Sequence, residues 1–95
     1  DPLIPFSLNG NYPNPFNGET IIRYVLPSNG FVNISIFNIA GQLIINLVND
    51  FQLRGEKKVF WNTKDETGND VPSGIYYYVV SNGKYKEART MTLLK

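Results

Sequence analysis

The sequence predicts an all-β fold, an immunoglobulin-like β-sandwich of about seven antiparallel strands. Three observations carry that expectation. Apolar residues alternate with polar ones over short runs, which is the period of a half-buried strand. Turn residues interrupt those runs every ~8–12 positions. Aromatics make up 14% of the chain, and eight Gly and six Pro supply the breaks, a mix that favours strands and turns over disorder. The 95 residues suffice for one domain with a modest core. Residues 1–5 read as the end of a linker and residues 6–95 as the sandwich.

The elements follow in order. Phe6-Ser7-Leu8 reads as a brief first strand, closed by a turn at Asn9-Gly10-Asn11. In Tyr12-Pro13-Asn14-Pro15-Phe16-Asn17-Gly18 two prolines fix φ twice and withhold two donors. Each also extends the residue before it, so a rigid, non-helical loop is expected. Residues 19–26 alternate as a strand, with Ile22, Tyr24 and Leu26 inward and Arg23 outward. Pro27-Ser28-Asn29-Gly30 is a turn signal. Residues 31–38 form the next strand, with Val32, Ile34 and Ile36 inward. Ile39-Ala40-Gly41-Gln42 connects tightly to a strand over residues 43–48, and residues 49–55 read as a longer connection. Residues 56–61 place Val59 and Trp61 inside. A polar stretch over residues 62–70 leads through Val71-Pro72-Ser73-Gly74 into residues 75–81. That strand is apolar on both faces, as a doubly covered central strand would be. Asn82-Gly83 signals a hairpin into a last strand over residues 85–94. A single buried tryptophan would anchor the core.

The chemistry available is limited. With no Cys and no His, Ser-His-Asp and Cys-His catalysis, thiolate metal sites and disulfides are excluded. The net charge of +1 leaves no broad footprint for nucleic acid. No run of about 18 apolar residues predicts a membrane-spanning helix. The chain opens on Asp1-Pro2 without a leader, so a piece of a longer protein is expected.

A few residues remain as candidates for chemistry. Asp65, Glu66, Asn69 and Asp70 offer hard oxygen ligands near Gly68, which makes Asp65 and Asp70 weak calcium candidates. The competing reading is a turn whose side chains cap its own backbone. The spacing does not fit the twelve-residue EF-hand loop. Asp65 with Asp70 as a glycosidase pair lacks a pocket around it. Tyr76 and Tyr78 on one face, or an exposed Phe37, are candidate sugar-stacking aromatics, with core packing as the competing reading. Lys84, Lys86, Arg89 and Lys95 cluster near the end, interrupted by Glu87. They read either as charges guarding an edge strand or as a contact for an anionic partner.

Four segments resemble one family. Asn11-Tyr12-Pro13-Asn14-Pro15-Phe16-Asn17, running into Thr20-Ile21-Ile22-Arg23-Tyr24 and Leu26-Pro27, is similar to the start of type IX secretion (Por-system) C-terminal sorting domains. Ile36-Phe37-Asn38-Ile39-Ala40-Gly41-Gln42 resembles the strand-turn that follows in that family. Trp61-Asn62, then Asp65, Gly68 and Val71-Pro72-Ser73-Gly74-Ile75-Tyr76-Tyr77-Tyr78, resembles its long signature. Arg89-Thr90-Met91-Thr92-Leu93-Leu94-Lys95 resembles its basic-apolar terminus. The immunoglobulin-like domain of flagellar hook-capping proteins shares the Trp-to-Tyr signature. Gly18-Glu19 departs from the Pro-Ser pair often found after the opening motif, and Asn62 stands where the family frequently has Asp.

The resemblance implies a non-catalytic signal without cofactors, fused behind large cargo domains. It implies recognition by outer-membrane secretion and sortase-like machinery, and a final location at the surface of a Gram-negative bacterium. No nucleic acid or small-molecule substrate is implied. The partner-reading residues expected on this basis are Tyr12, Pro13, Asn14, Pro15, Asn17, Gly74, Lys86, Arg89, Met91, Leu93, Leu94 and Lys95. The last strand is expected to present its end as an edge open to strand addition. The alternatives are an accessory immunoglobulin-like module, structural or carbohydrate-binding, within a secreted enzyme, and a hook-capping role.

Overall fold

The computed structural model describes residues 6–83 and 85–95, so the expected linker at residues 1–5 lies outside the described residues, as does Lys84. Seven strands form: β1 (Ser7–Tyr12), β2 (Thr20–Leu26), β3 (Gly30–Asn38), β4 (Leu43–Gln52), β5 (Gly55–Trp61), β6 (Gly74–Asn82) and β7 (Tyr85–Leu93). They make a three-stranded sheet, β1-β2-β5, facing a four-stranded sheet, β4-β3-β6-β7. Every pairing between named strands is antiparallel. The immunoglobulin-like sandwich follows from the alternation in each strand, because only one face of each sheet is apolar enough to be buried.

The inner faces hold Ile22, Tyr24 and Leu26 from β2, Val32, Ile34 and Ile36 from β3, and Tyr76, Tyr78 and Val80 from β6. Met91 and Leu93 from β7 and Leu8 from β1 join them. Trp61 is fully buried at the end of β5, and Val59 packs partly buried against the same core. Arg23 faces solvent. Buried phenols reach polar partners at the margin. Tyr24 Oη donates to Gln52 Oε1 across the sheets at 2.6 Å. Tyr76 Oη donates to the Pro72 carbonyl at 2.6 Å, the tyrosine corner of this architecture. Burial pushes the Tyr24, Tyr76 and Tyr78 hydroxyls above their usual pKa.

Three elements differ from the sequence expectation. Asn9-Gly10 makes no turn. The register with β2 shifts between Leu8 and Gly10, and Gly10 at φ +96° absorbs the extra residue as a bulge, so β1 continues to Tyr12. Residues 49–52 are strand, because β3 begins at Gly30 and pairs Gly30 with Gln52 and Phe31 with Phe51. Their polar side chains are tolerated on an edge strand whose outer face is wet. β6 is covered on one face only. Ile75 is exposed and Tyr77 and Val79 are half-buried, because a two-layer sandwich has no third layer to cover them. Phe37 is also half-buried on this outer face, between Leu43 and Tyr77 in register, and does not stand out as a lone aromatic platform. Tyr76 and Tyr78 are core.

Removing the indole tests this packing. Trp61→Ala is expected to cost about 3–5 kcal/mol, read from urea unfolding of the purified chain. A loss below about 1 kcal/mol would show that the core closes without it.

Candidate recognition pole

The segments that carry the sequence motifs meet at one end of the sandwich. The first is the strap that leaves β1. Pro13 and Pro15 both follow cis peptide bonds, and neither has an N–H to satisfy. On one side the strap is held to β2: buried Thr20 donates its hydroxyl to the Pro13 carbonyl at 2.8 Å, and Asn11 Nδ2 donates to Thr20 Oγ1 at 3.0 Å. On the other side it is held to β7. Thr92 N–H donates to Asn14 Oδ1 at 3.0 Å. Phe16 N–H donates to the Thr92 carbonyl at 3.0 Å, and Leu94 N–H donates to the Phe16 carbonyl at 2.8 Å. Asn17 Nδ2 donates to the Leu94 carbonyl at 2.9 Å. Phe16 thereby bridges Leu93 in the parallel sense. The first strand crosses from one sheet to the other through this strap.

Phe16 fixes the crossing from beneath. Its ring is buried and lies 5.9 Å from the Trp61 ring, which in turn meets Tyr76 edge-on at 5.4 Å. Such tilted aromatic contacts add to simple area burial. Trp61 Nε1 donates to the Lys64 carbonyl at 3.0 Å, which holds the start of the polar loop. Thr63 in that loop is buried at φ +65°, an outlier for a β-branched residue. Its carbonyl accepts Val71 N–H at 3.0 Å. The Val71-Pro72-Ser73-Gly74 turn completes the pole: Ser73 Oγ accepts Lys95 N–H at 2.9 Å.

The acidic residues of the loop do not converge. Asp65 Oδ1 accepts Thr67 N–H, Thr67 Oγ1–H and Asn69 N–H at 2.9, 2.8 and 3.0 Å. These bonds, the Thr67 hydroxyl first, hold its carboxyl below the usual range. Asp70 pairs with Lys64 at 2.7 Å, which lowers its pKa, with Lys95 adding to the effect. Glu66 turns away to β4, where its carboxylate accepts Asn46 N–H at 2.8 Å. The local arrangement is the backbone-capping turn rather than a cage of oxygens around Asp65 and Asp70.

The expected partner-reading residues divide. Tyr12 is 76% exposed. Pro13, Asn14, Pro15, Asn17, Leu94 and Lys95 are also exposed and share the pole, and Gly74 is half-buried beside them. Met91 and Leu93 are corrected: both are buried, because their place in the alternation of β7 turns them inward. The end of β7 is likewise no open edge, since the strap already occupies it. Lys86 and Arg89 lie further along β7, away from the pole, and Arg89 pairs with Glu87 at 3.0 Å. Sequence reasoning missed Thr20, Phe16 and Ser73 as the ties of the pole. Phe16 was detectable as the one large apolar side chain in an otherwise polar strap, and Thr20 as a residue in phase with Ile22 and Tyr24.

Comparisons with known proteins bear on the family and the fold. A family model described as a secretion system C-terminal sorting domain matches residues 11–93. No curated protein matches by sequence. Among solved structures, dimeric latent PorU from Porphyromonas gingivalis is similar with a TM-score of 0.73 at 19% identity over 99% of this chain. PorZ, a surface component of the type IX secretion system of the same organism, gives 0.64 at 20% identity over 94% of this chain. The chain spans only 10% and 12% of those two proteins. FlgD from Xanthomonas campestris, a hook-capping protein, gives 0.64 at 19% identity over 92% of this chain and 64% of its own. At such identities the likeness is one of fold.

Two measurements check the pole. Asn14→Ala removes the acceptor for Thr92 N–H and should cost about 1 kcal/mol, with faster amide exchange at Thr92 and Leu94. Unchanged exchange there would mean that the strap is held without Asn14. Asp65 has a lowered folded pKa, so its contribution to stability is present above the unfolded value of about 4 and is lost as pH falls through the lower folded value. Acid titration followed by NMR should therefore shift the Thr67 and Asn69 amides below about pH 4. Asp65→Asn should remove that titration.

Proposed function

The chain belongs to the family of secretion system C-terminal sorting domains, and from that premise we propose that its folded pole is what the secretion machinery reads. It is a type IX sorting signal, a domain that directs secretion across the outer membrane to the cell surface. The observation that carries this function is the family match over residues 11–93, nearly the whole domain. The readable residues in our reading are the exposed ones at the pole, Tyr12, Pro13, Asn14, Pro15, Asn17, Leu94 and Lys95. The buried motif residues Phe16, Trp61, Tyr76, Met91 and Leu93 act by holding those in place.

The domain acts without catalysis of its own. The work of translocation and attachment falls to outer-membrane and sortase-like machinery, and the cargo is a separate part of the same polypeptide. This division is supported by how the pole uses its polar groups: the side chains of Asn14, Asn17, Thr20 and Asp65 are engaged in bonds that shape the backbone. In our reading the sorting domain spans residues 6–95.

The test is surface display. The chain fused behind a periplasmic reporter should bring that reporter to the surface of a host with the type IX system. Trp61→Ala should abolish display by unfolding the pole. Lys95→Glu, which leaves the core untouched, should weaken display by roughly tenfold if the terminal charge is read. A wild-type fusion that stays periplasmic would overturn the sorting role. Display unaffected by Lys95→Glu would remove Lys95 from the recognised set.

A further inference from the structure

β7 is the outer strand of its sheet, and its backbone groups alternate between β6 and the outside. Thr92 and Leu94 point outward, since the strap takes up their backbone groups. By the same alternation Lys86, Ala88 and Thr90 also point their N–H and C=O groups outward. All three residues are exposed, and among the described residues none of those outward groups has a protein partner. The strap has covered one end of the edge and left the rest bare.

That bare stretch is straight. The β6–β7 register runs unbroken from Gly74↔Leu93 to Asn82↔Tyr85. Of the other edges, β1 and β4 are broken by bulges, a device that hinders further pairing, whereas β5 is unbroken like β7. Facing the bare stretch is β1, the edge of the opposite sheet. Between them lies a groove of about 700 Å³ lined by Asn9, Gly10, Asn14, Ala88, Arg89 and Thr90, among others. Gly10 makes room for the Arg89 side chain, which reaches across from β7: a Cβ at Gly10 would come within 3.3 Å of Arg89 Nη1. At ~3.4 Å per residue the open stretch has the length of a strand of about five residues.

We infer that the β7 edge from Lys86 to Thr90 docks an extended polypeptide segment of the secretion machinery, added to the sheet as its next strand. The inference rests on the sorting role proposed above and names a surface for it. The chain supplies the precedent: Phe16 already pairs with this edge, in the parallel sense, one step further along. Main-chain pairing provides the affinity in such additions, and the flanking pockets provide the selectivity. Asn9, Asn11 and Asn14 line the opposite side, and outward N–H and C=O groups that recur every ~6.8 Å along the edge match the backbone of an extended peptide.

The test uses the full chain fused behind the reporter, in the type IX host. Ala88→Pro deletes one outward N–H and places a ring on the edge without touching the bonds to β6. Asn9→Trp fills the groove from the opposite wall and leaves β7 intact. Both variants are expected to lower surface display by roughly tenfold while the thermal unfolding midpoint of the purified chain stays near that of the wild type. If Ala88→Pro does not fold, Asn9→Trp decides. Normal display by the folded variants, with the wild-type fusion also displayed, overturns the edge proposal and leaves the sorting role standing. A wild-type fusion that stays periplasmic overturns both. If sedimentation shows a wild-type dimer that Ala88→Pro converts to a monomer, the occupant is a second copy of this chain, and the assignment to the secretion machinery is overturned.

Discussion

The indole of Trp61 closes one end of the sandwich, and segments far apart in sequence depend on it for their positions. Phe16 leans on one side of it and Tyr76 meets it edge-on. Its Nε1–H holds the Lys64 carbonyl. Through Phe16 it fixes the strap, through the strap the end of β7, and through Lys64 the loop that leads to Val71. Tyr76 carries the chain of dependence to Pro72, and Ser73 carries it on to Lys95. In a core this small, one fully buried tryptophan is a large share of the apolar surface removed from water. Polar bonds worth about 1 kcal/mol each add to the packing of the ring in holding the proline-rich strap against its sheet.

This dependence explains why the family motifs are spread along the chain and yet belong to one feature. Met91 and Leu93 have the sequence character of a terminal signal, but in the folded domain they are packing. Truncating the chain from Met91 would remove two core residues and the partner of the strap together, so a loss of export after such a truncation would report unfolding as much as lost recognition. Substitutions at Lys95 or Ala88 separate the two, because they change the surface without emptying the core or cutting a tie of the strap.

Much of the fold was legible in the sequence because alternation and turn chemistry are local. The inward sets of β2, β3 and β5 were readable residue by residue, and so was the single buried tryptophan. The errors share a cause. The extension of β4 depends on where β3 begins, the bulge at Asn9-Gly10 on its partner in β2, and the half-open face of β6 on the absence of a third layer. None of these is written within the segment concerned. The candidate recognition pole was legible as a set of motifs but not as a place. Asn14, Phe16 and Asn17 reach β7 over nearly the full length of the chain, and no local pattern signals a contact of that range. Asp65 shows the converse case: the local pattern reads as a turn capping its own backbone, with calcium as the lesser alternative, and its carboxylate does bond to the backbone of its own loop.

The strand directions add one more constraint on function. β1 runs toward the pole, so Phe6 lies at the other end of the sandwich, where its ring stacks on Tyr85 at 5.6 Å. A cargo joined ahead of Phe6 therefore enters at the far end, away from Tyr12, Pro13 and Lys95. Nine residues of β7 at ~3.4 Å each separate the two ends by roughly the length of the domain. The β7 edge runs along the side between them, so a strand added to it would lie alongside the domain and not across either end. Phe6, the pole and the β7 edge thus lie on separate surfaces of the sandwich.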